Sequence, residues 1–184
     1  MTSNSGGEGE IRKAMVEQDV IECMVALPGQ LFTNTQIPAC LWFLTRNKGP
    51  HNGQDGEFTG DVTGKVLFID CCKMGAEQIS RTQVAFTEEE LEKIAGTYHN
   101  WRGSPWAGGE YRDEEGFCKS AALEEIAEHG YALTPGRYVG EALDDGPDAE
   151  PFEEAFPRLI SELEILFNAG SDLENRILRK LRSI

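Results

Sequence analysis

Few residues in this chain have the type and setting to do chemistry. Phe32 lies in a polar loop, Gln30–Gln36, between two apolar runs, Val20–Leu27 and Ile37–Leu44. A loop aromatic outside any periodic stripe can be a packing anchor, or a flat platform on which a planar ligand stacks. Gln30 and Asn34 put amide groups on the same loop, which makes it a candidate binding edge. Asp70, near the end of a third run, Lys65–Cys72, is a candidate for catalysis, but no partner for its carboxylate can be named. His51 sits in a glycine-rich stretch, and His99 and His129 fall at expected helix ends, where the dipole favours a cation; all three read as structural. No Ser-His-Asp context, GxSxG, HExxH or P-loop is present. Gly6-Gly7-Glu8-Gly9 reads as a helix entry and not a phosphate cradle, since no strand precedes it. The five cysteines form no CxxC pair, and adjacent Cys71 and Cys72 point to opposite strand faces. They read as buried reduced thiols of a cytosolic protein.

The elements that must position these residues follow α/β grammar. Glu8–Gln18 predicts a helix with Ile11, Ala14, Met15 and Gln18 on one face. It runs almost directly into Val20–Leu27. This run and Ile37–Leu44 look continuously apolar, as strands covered on both faces do. Their connection suits an antiparallel return at a sheet edge, with Pro38 at the strand start. Asn47–Gly64 holds five glycines and a proline and predicts a flexible loop. Thr87 and Glu90 form a capping box for a helix to about Tyr98. Ala121–His129 predicts a short helix, and Tyr131–Val139 an extended docking segment. In the tail, Phe152, Phe156, Leu159, Leu163 and Leu166 recur at helical spacing. Asn168–Gly170 interrupts. Ser171 and Glu174 form a second capping box, and Leu173, Ile177 and Leu181 continue the stripe, so two helices in series are expected. Their apolar faces want partners.

The 184 residues carry a net charge of −15, which argues against a surface that grips nucleic acid by itself. Charge is uneven. Residues 140–164 hold nine acidic side chains and one basic, whereas residues 173–184 hold four basic and one acidic. That asymmetry suggests charge pairing along a helix or with another chain. No apolar run approaches the roughly 20 residues that span a bilayer, and the polar N-terminus is not a signal peptide.

Three stretches together closely resemble a known family: GEGEIRKAMVEQDVIECMVALPGQLFTNTQIPACLWFL, KVLFIDC and LEEIAEHGYALTPGRYVG. They resemble the C-terminal part of the modification (M) subunit of type I restriction–modification systems, which are adenine-N6 DNA methyltransferases. The resemblance covers essentially the whole chain. It implies an α/β fold: the distal edge strands and a helix of an S-adenosylmethionine-dependent methyltransferase, followed by a mainly helical C-terminal region. The implied division is 1–74 as methyltransferase portion, 75–150 as an α-rich connection and 151–184 as docking helices. Phe32 matches the aromatic that stacks on the extruded target base, with Gln30 and Asn34 near base or DNA. The resemblance further implies a specificity subunit, a second M subunit and a restriction subunit as partners, DNA reached through the assembled complex, a cytoplasmic setting and no membrane. Phe152, Phe156, Leu159, Leu163, Leu166, Leu173, Ile177 and Leu181 would dock those subunits. The family's glycine-rich cofactor motif and Asn-Pro-Pro-Phe motif do not occur here. The chain therefore reads as a C-terminal fragment, without catalytic residues of its own, that alone binds no S-adenosylmethionine. From the residues alone, a second reading is a non-catalytic helical interaction module.

Overall fold

Two inner strands, each covered on both faces, set the architecture of the computed structural model. It describes residues 5–33, 35–52, 58–140 and 152–181. Residues Met1–Ala142 and Leu143–Ile184 are separate units.

In the first unit, Gly6 and Gly7 take positive φ at the helix entry, and helix α1 spans Glu8–Glu17. Strand β1 is Ile21–Ala26 and strand β2 Cys40–Leu44. A small hairpin follows, β3 (His51–Asn52) with β4 (Phe58–Thr59). Strand β5 is Lys65–Asp70. A second hairpin joins β6 (Glu77–Ser80) and β7 (Gln83–Ala85). Helix α2 is Glu88–Arg102, strand β8 Cys118–Ala122 and helix α3 Leu123–Glu128.

The main sheet has the order β2-β1-β5-β8. β1 is antiparallel to β2 and parallel to β5, and β5 is antiparallel to β8. Every residue of β1 is buried, as are Val66–Ile69 of β5. Met24 and Phe68 face a core with Val16 of α1, Ile126 of α3 and Leu133. Cys23, Val25, Leu67 and Ile69 face the other way, against Val62, Trp101 and Phe117. Burying a large apolar side chain contributes about 1.5–3 kcal/mol, so the inner strands hold both layers.

Several expectations change. β2 stands at the sheet edge and is not covered on both faces: Leu41, Phe43 and Leu44 are exposed, and only Cys40 and Trp42 turn partly inward. α1 buries Arg12 and Val16, while Ile11 is 61% exposed. The buried Arg12 is held by its Nε donating to the Tyr131 carbonyl at 3.3 Å, which lets a cation take the inner face. α2 runs on from Tyr98 to Arg102, because Trp101 must close the lower core. Cys118–Ala122 forms a strand where none was expected. Tyr131–Val139 is not a docking segment. It turns through a 3-10 step at Pro135–Arg137, and Leu133, Tyr138 and Val139 are buried. Tyr138 stacks on Phe68 with ring centroids 3.9 Å apart, and its hydroxyl donates to the Ala132 carbonyl. Loss of water around that hydroxyl pushes its pKa up to about 12.

The ends of the 47–64 stretch are pinned, not loose. Arg102 is buried and pairs with Glu22 at 2.9 Å. The same guanidinium donates to the carbonyls of Asn47 (3.1 Å), Lys48 (3.3 Å) and Gly60. Tyr98 donates its hydroxyl to Glu22 at 3.2 Å. Lys48 pairs with Asp19, and Asp19 accepts the Gly64 amide at 2.8 Å. Glycine and polar content made this stretch look free, but one long side chain from α2 satisfies its carbonyls.

Among its described residues the second unit holds one helix, α4, Phe152–Leu181, and not two in series. The apolar stripe keeps its phase from Leu166 to Leu173 across one heptad. A helix-interior glycine costs only about 1 kcal/mol, so Gly170 does not end the helix and Ser171 is not a cap. Pro157 falls within the helix and leaves the Glu153 carbonyl without its usual donor.

Replacing Arg102 with Met should leave Glu22 buried and unpaired. Urea denaturation should then show a loss of about 3–5 kcal/mol; a loss below about 1 kcal/mol would mean the pair does not hold the sheet to its insertion.

Candidate functional site

The parallel strands β1 and β5 end side by side, with Ala26 in register with Asp70. Ligands of open α/β sheets bind at the carboxyl ends of such strands. Two features meet there.

The first is the loop from Pro28 to Ala39. Its neck is closed by the Leu27 amide donating to the Ala39 carbonyl at 2.8 Å. Gly29 is required at the turn, because a Cβ there would lie 2.7 Å from the Gln36 carbonyl oxygen. Gln30 adopts φ +65°, and its carbonyl accepts the Val84 amide of β7 at 3.1 Å. Leu31 packs against the core shared by Val25, Leu27 and Ile69. Phe32 then turns outward and is 46% exposed. A bridge with Thr35 holds it, the Thr35 amide donating to the Phe32 carbonyl at 3.3 Å, and the Thr35 hydroxyl accepts the Ile37 amide at 3.1 Å. Leu31 takes the anchoring role under the loop, which leaves the Phe32 ring accessible. Gln30 shares this loop. Asn34 lies outside the described residues.

The second feature is a cleft of about 400 Å³ lined by Ala26, Cys40, Trp42, Asp70, Cys72 and Pro135. Sequence reading missed it, because Cys40, Asp70 and Pro135 are far apart in the chain and meet only through the sheet and the 3-10 turn. Asp70 accepts the Cys72 amide at 2.9 Å. Gly136 lies so close that a Cβ on it would be 2.9 Å from the Asp70 carboxylate. Cys72 Sγ points to the Leu27 carbonyl at 3.9 Å. Desolvation first, then the Asp70 carboxylate, pushes the Cys72 thiol up to about 12. Desolvation also lifts Cys40 to about 11. Both stay protonated near neutral pH, so neither is a ready nucleophile. All five cysteines are free thiols.

A short linker places β7 and the loop relative to α2. The Thr87–Glu90 capping box is present: Glu90 donates its amide to Thr87 Oγ1 at 3.2 Å, and its carboxylate accepts the Thr87 amide at 2.9 Å. The same carboxylate accepts the Gly75 amide at 2.9 Å. These backbone donors, Thr87 first, hold Glu90 below the usual carboxylate range.

The histidines serve structure. His99 Nδ1 meets the Ser104 hydroxyl at 2.8 Å. His51 contacts Thr59 and Arg102, and His129 packs edge-on to Tyr138. Neither parallel strand leads through a glycine-rich turn into a helix. β1 runs into the Phe32 loop, and β5 runs by way of Cys71–Ala76 into β6. Among the described residues, no group of histidines, cysteines and carboxylates is arranged to hold a metal, and no helix is long and apolar enough to cross a membrane.

On α4, Phe156, Leu159, Leu163 and Leu166 are exposed. The side chains of Phe152, Leu173, Ile177 and Leu181 lie outside the described residues.

A mixed sheet whose parallel strands end at an aromatic loop is α/β ligand-binding architecture. The sequence profile of the N-6 DNA methylase family matches residues 1–145, and the chain belongs to that family. It is 45% identical over 181 residues to the type I restriction enzyme HindI methylase subunit of Haemophilus influenzae, covering 98% of this chain and 37% of that protein. It is 39% identical over 173 residues to the MjaIX methylase subunit of Methanocaldococcus jannaschii, covering 92% of this chain and 28% of that protein. The crystal structure of the type I restriction-modification system methyltransferase subunit from Streptococcus thermophilus superposes with a TM-score of 0.58 at 29% identity, over 76% of this chain and 24% of that one. The chain thus spans little more than a third of the HindI subunit.

Alkylation of Cys72 in the folded protein by iodoacetamide, followed by peptide mass spectrometry, should rise about tenfold per pH unit from pH 7 to 10, because its thiolate stays scarce until pH nears 12. A plateau by pH 9 would show an unperturbed thiol.

Proposed function

We propose that this chain supplies the target-base platform and a docking helix of a type I DNA adenine-N6 methyltransferase. The parent reaction moves a methyl group from S-adenosylmethionine to the adenine N6. The observation that carries this reading is Phe32, exposed on a braced loop at the carboxyl end of β1. An enzyme that modifies a base takes it out of the stack, and an aromatic face returns about 1–3 kcal/mol of the lost stacking. In this reading Gln30, on the same loop, contacts base or backbone together with Asn34.

The residues present do not fit S-adenosylmethionine. The parallel strands lack the strand–turn–helix that would hold its methionine end, and no Asn-Pro-Pro-Phe orients the adenine amine. No methyl-transfer step is assigned to residues of this chain. The exposed apolar edge strand β2 supports completion of the sheet by a complementing methyltransferase portion, since an open edge with Leu41, Phe43 and Leu44 on its surface is prone to pairing. The divisions 1–74, 75–150 and 151–184 are kept as functional assignments, the last being the surface for a specificity subunit, with a second M subunit, a restriction subunit and DNA joining through the assembly. A cytoplasmic setting goes with that role.

Two measurements test this. Calorimetric titration of the isolated chain with S-adenosylmethionine should give no heat of binding; micromolar binding would overturn the division of labour. In a complex reconstituted with a complementing methyltransferase portion and a specificity subunit, Phe32→Ala should slow methylation about 10–100-fold, the rate equivalent of the stacking lost. Phe32→Trp should retain most of the rate. An unchanged rate in Phe32→Ala would remove Phe32 from the base site.

A further inference from the structure

The hairpin β6–β7 supplies no residue to either core layer of the first unit. We propose that it is a DNA-contacting ribbon, with Arg81 at its tip on a backbone phosphate beside the extruded base. This rests on the base-platform reading of Phe32 given above.

The ribbon is clamped at its base and bare at its tip. Met74 before it and Phe86 after it pack against the lower core. The Glu90 carboxylate accepts the Gly75 amide at 2.9 Å and the Ala76 amide at 3.3 Å. Gly75 takes φ +99°, and a Cβ there would lie 3.1 Å from Val84 Cγ2. Between these clamps, residues 76–82 are all exposed. The register shifts between Gln78 and Ser80, and the bulge leaves Ile79 55% exposed. At the tip, the Ser80 hydroxyl accepts the Thr82 amide at 3.4 Å. The core explains the clamps but not the bare strand beyond them. A two-stranded ribbon of this kind is sized for a DNA groove, where its polar faces and Ile79 find cover.

Charge points to the same partner. Residues 78–86 hold Arg81 and no acidic side chain, in a chain with 32 acidic and 17 basic residues. Gln78, Ser80, Thr82 and Gln83 put neutral donors around it. Among the described residues, no carboxylate pairs with Arg81. A guanidinium without a partner suits a phosphate, which it can meet with two parallel N–H groups.

Place decides which phosphate. The Val84 amide donates to the Gln30 carbonyl at 3.1 Å, which ties the ribbon to the Phe32 loop. The chain from Val84 to Arg81 spans about 10 Å at most. Phosphates follow one another about every 3.4 Å along a strand. Arg81 therefore reaches phosphates within about three nucleotides of a base stacked on Phe32.

The test uses the reconstituted complex and a duplex carrying its recognition sequence, with affinity read by fluorescence anisotropy. Arg81→Ala should weaken binding about tenfold and reduce the salt slope by about one, and Arg81→Lys should keep the slope. Neutral methylphosphonates, placed singly at about three positions on either side of the target adenine, identify the contact. At one of them the wild-type complex should lose about tenfold in affinity, whereas Arg81→Ala should lose nothing further. A ribbon that only braces the Phe32 loop would show no such coupling. An unchanged salt slope, or no position coupled to Arg81, would overturn the proposal. Loss of specificity-subunit capture in Arg81→Ala, without phosphate coupling, would overturn it in favour of a protein partner. Phe32→Ala separates the two readings. If it slows methylation while Arg81 couples to no phosphate, only the ribbon contact falls. If Arg81 couples while Phe32→Ala methylates at the full rate, the base platform falls and the contact stands.

Discussion

The burial of β1 on both faces is the constraint on which the rest of the first unit depends. Ile21–Ala26 cannot alternate between core and water, so each face demands its own cover. α1, α3 and the turn through Pro135 cover one side; α2 and the segments around Val62 and Phe117 cover the other. Once β1 is fixed, its neighbours follow in register, Cys40 and Asp70 both opposite Ala26. That register is what brings the Phe32 loop and the Asp70 cleft to the same end of the sheet.

Legibility followed local chemistry. β1 and β5 were readable because buried strands write themselves as continuous apolar runs. The Thr87–Glu90 box was readable because both partners of its hydrogen bonds lie three residues apart. β8 was not, since Cys-Lys-Ser-Ala-Ala has no strand pattern and pairs only because β5 offers a free edge. Arg12 and Ile11 exchanged the expected faces because a carbonyl 119 residues away in sequence receives the arginine. Tyr138, within the stretch expected to be an extended docking segment, is instead the lid on Phe68. Of the site, Phe32 stood out as an aromatic without a stripe, and its exposure follows from Leu31 anchoring the loop. The cleft around Asp70 left no mark in sequence, being assembled from four separate segments.

The two ends of the sheet have different work. At the amino end, buried Arg102, Glu22 and Lys48, with half-buried Asp19, form an ionic lattice that ties an insertion down. Such pairs are costly to bury and more costly to break, so they favour one arrangement of the 47–64 stretch. At the carboxyl end, Asp70 accepts the Cys72 amide, and Phe32 faces outward on a loop closed at its neck. A braced loop with an accessible aromatic suits the base-platform role proposed above.

The most direct test of that role is photocross-linking in the reconstituted methylase complex, with 5-iodouracil in place of the target adenine. Irradiation should join the base to Phe32, located by peptide mass spectrometry, because an aromatic stacked on the extruded base is the group in van der Waals contact with its face. A cross-link confined to the complementing portion, with the Pro28–Ala39 loop unmodified, would contradict the account.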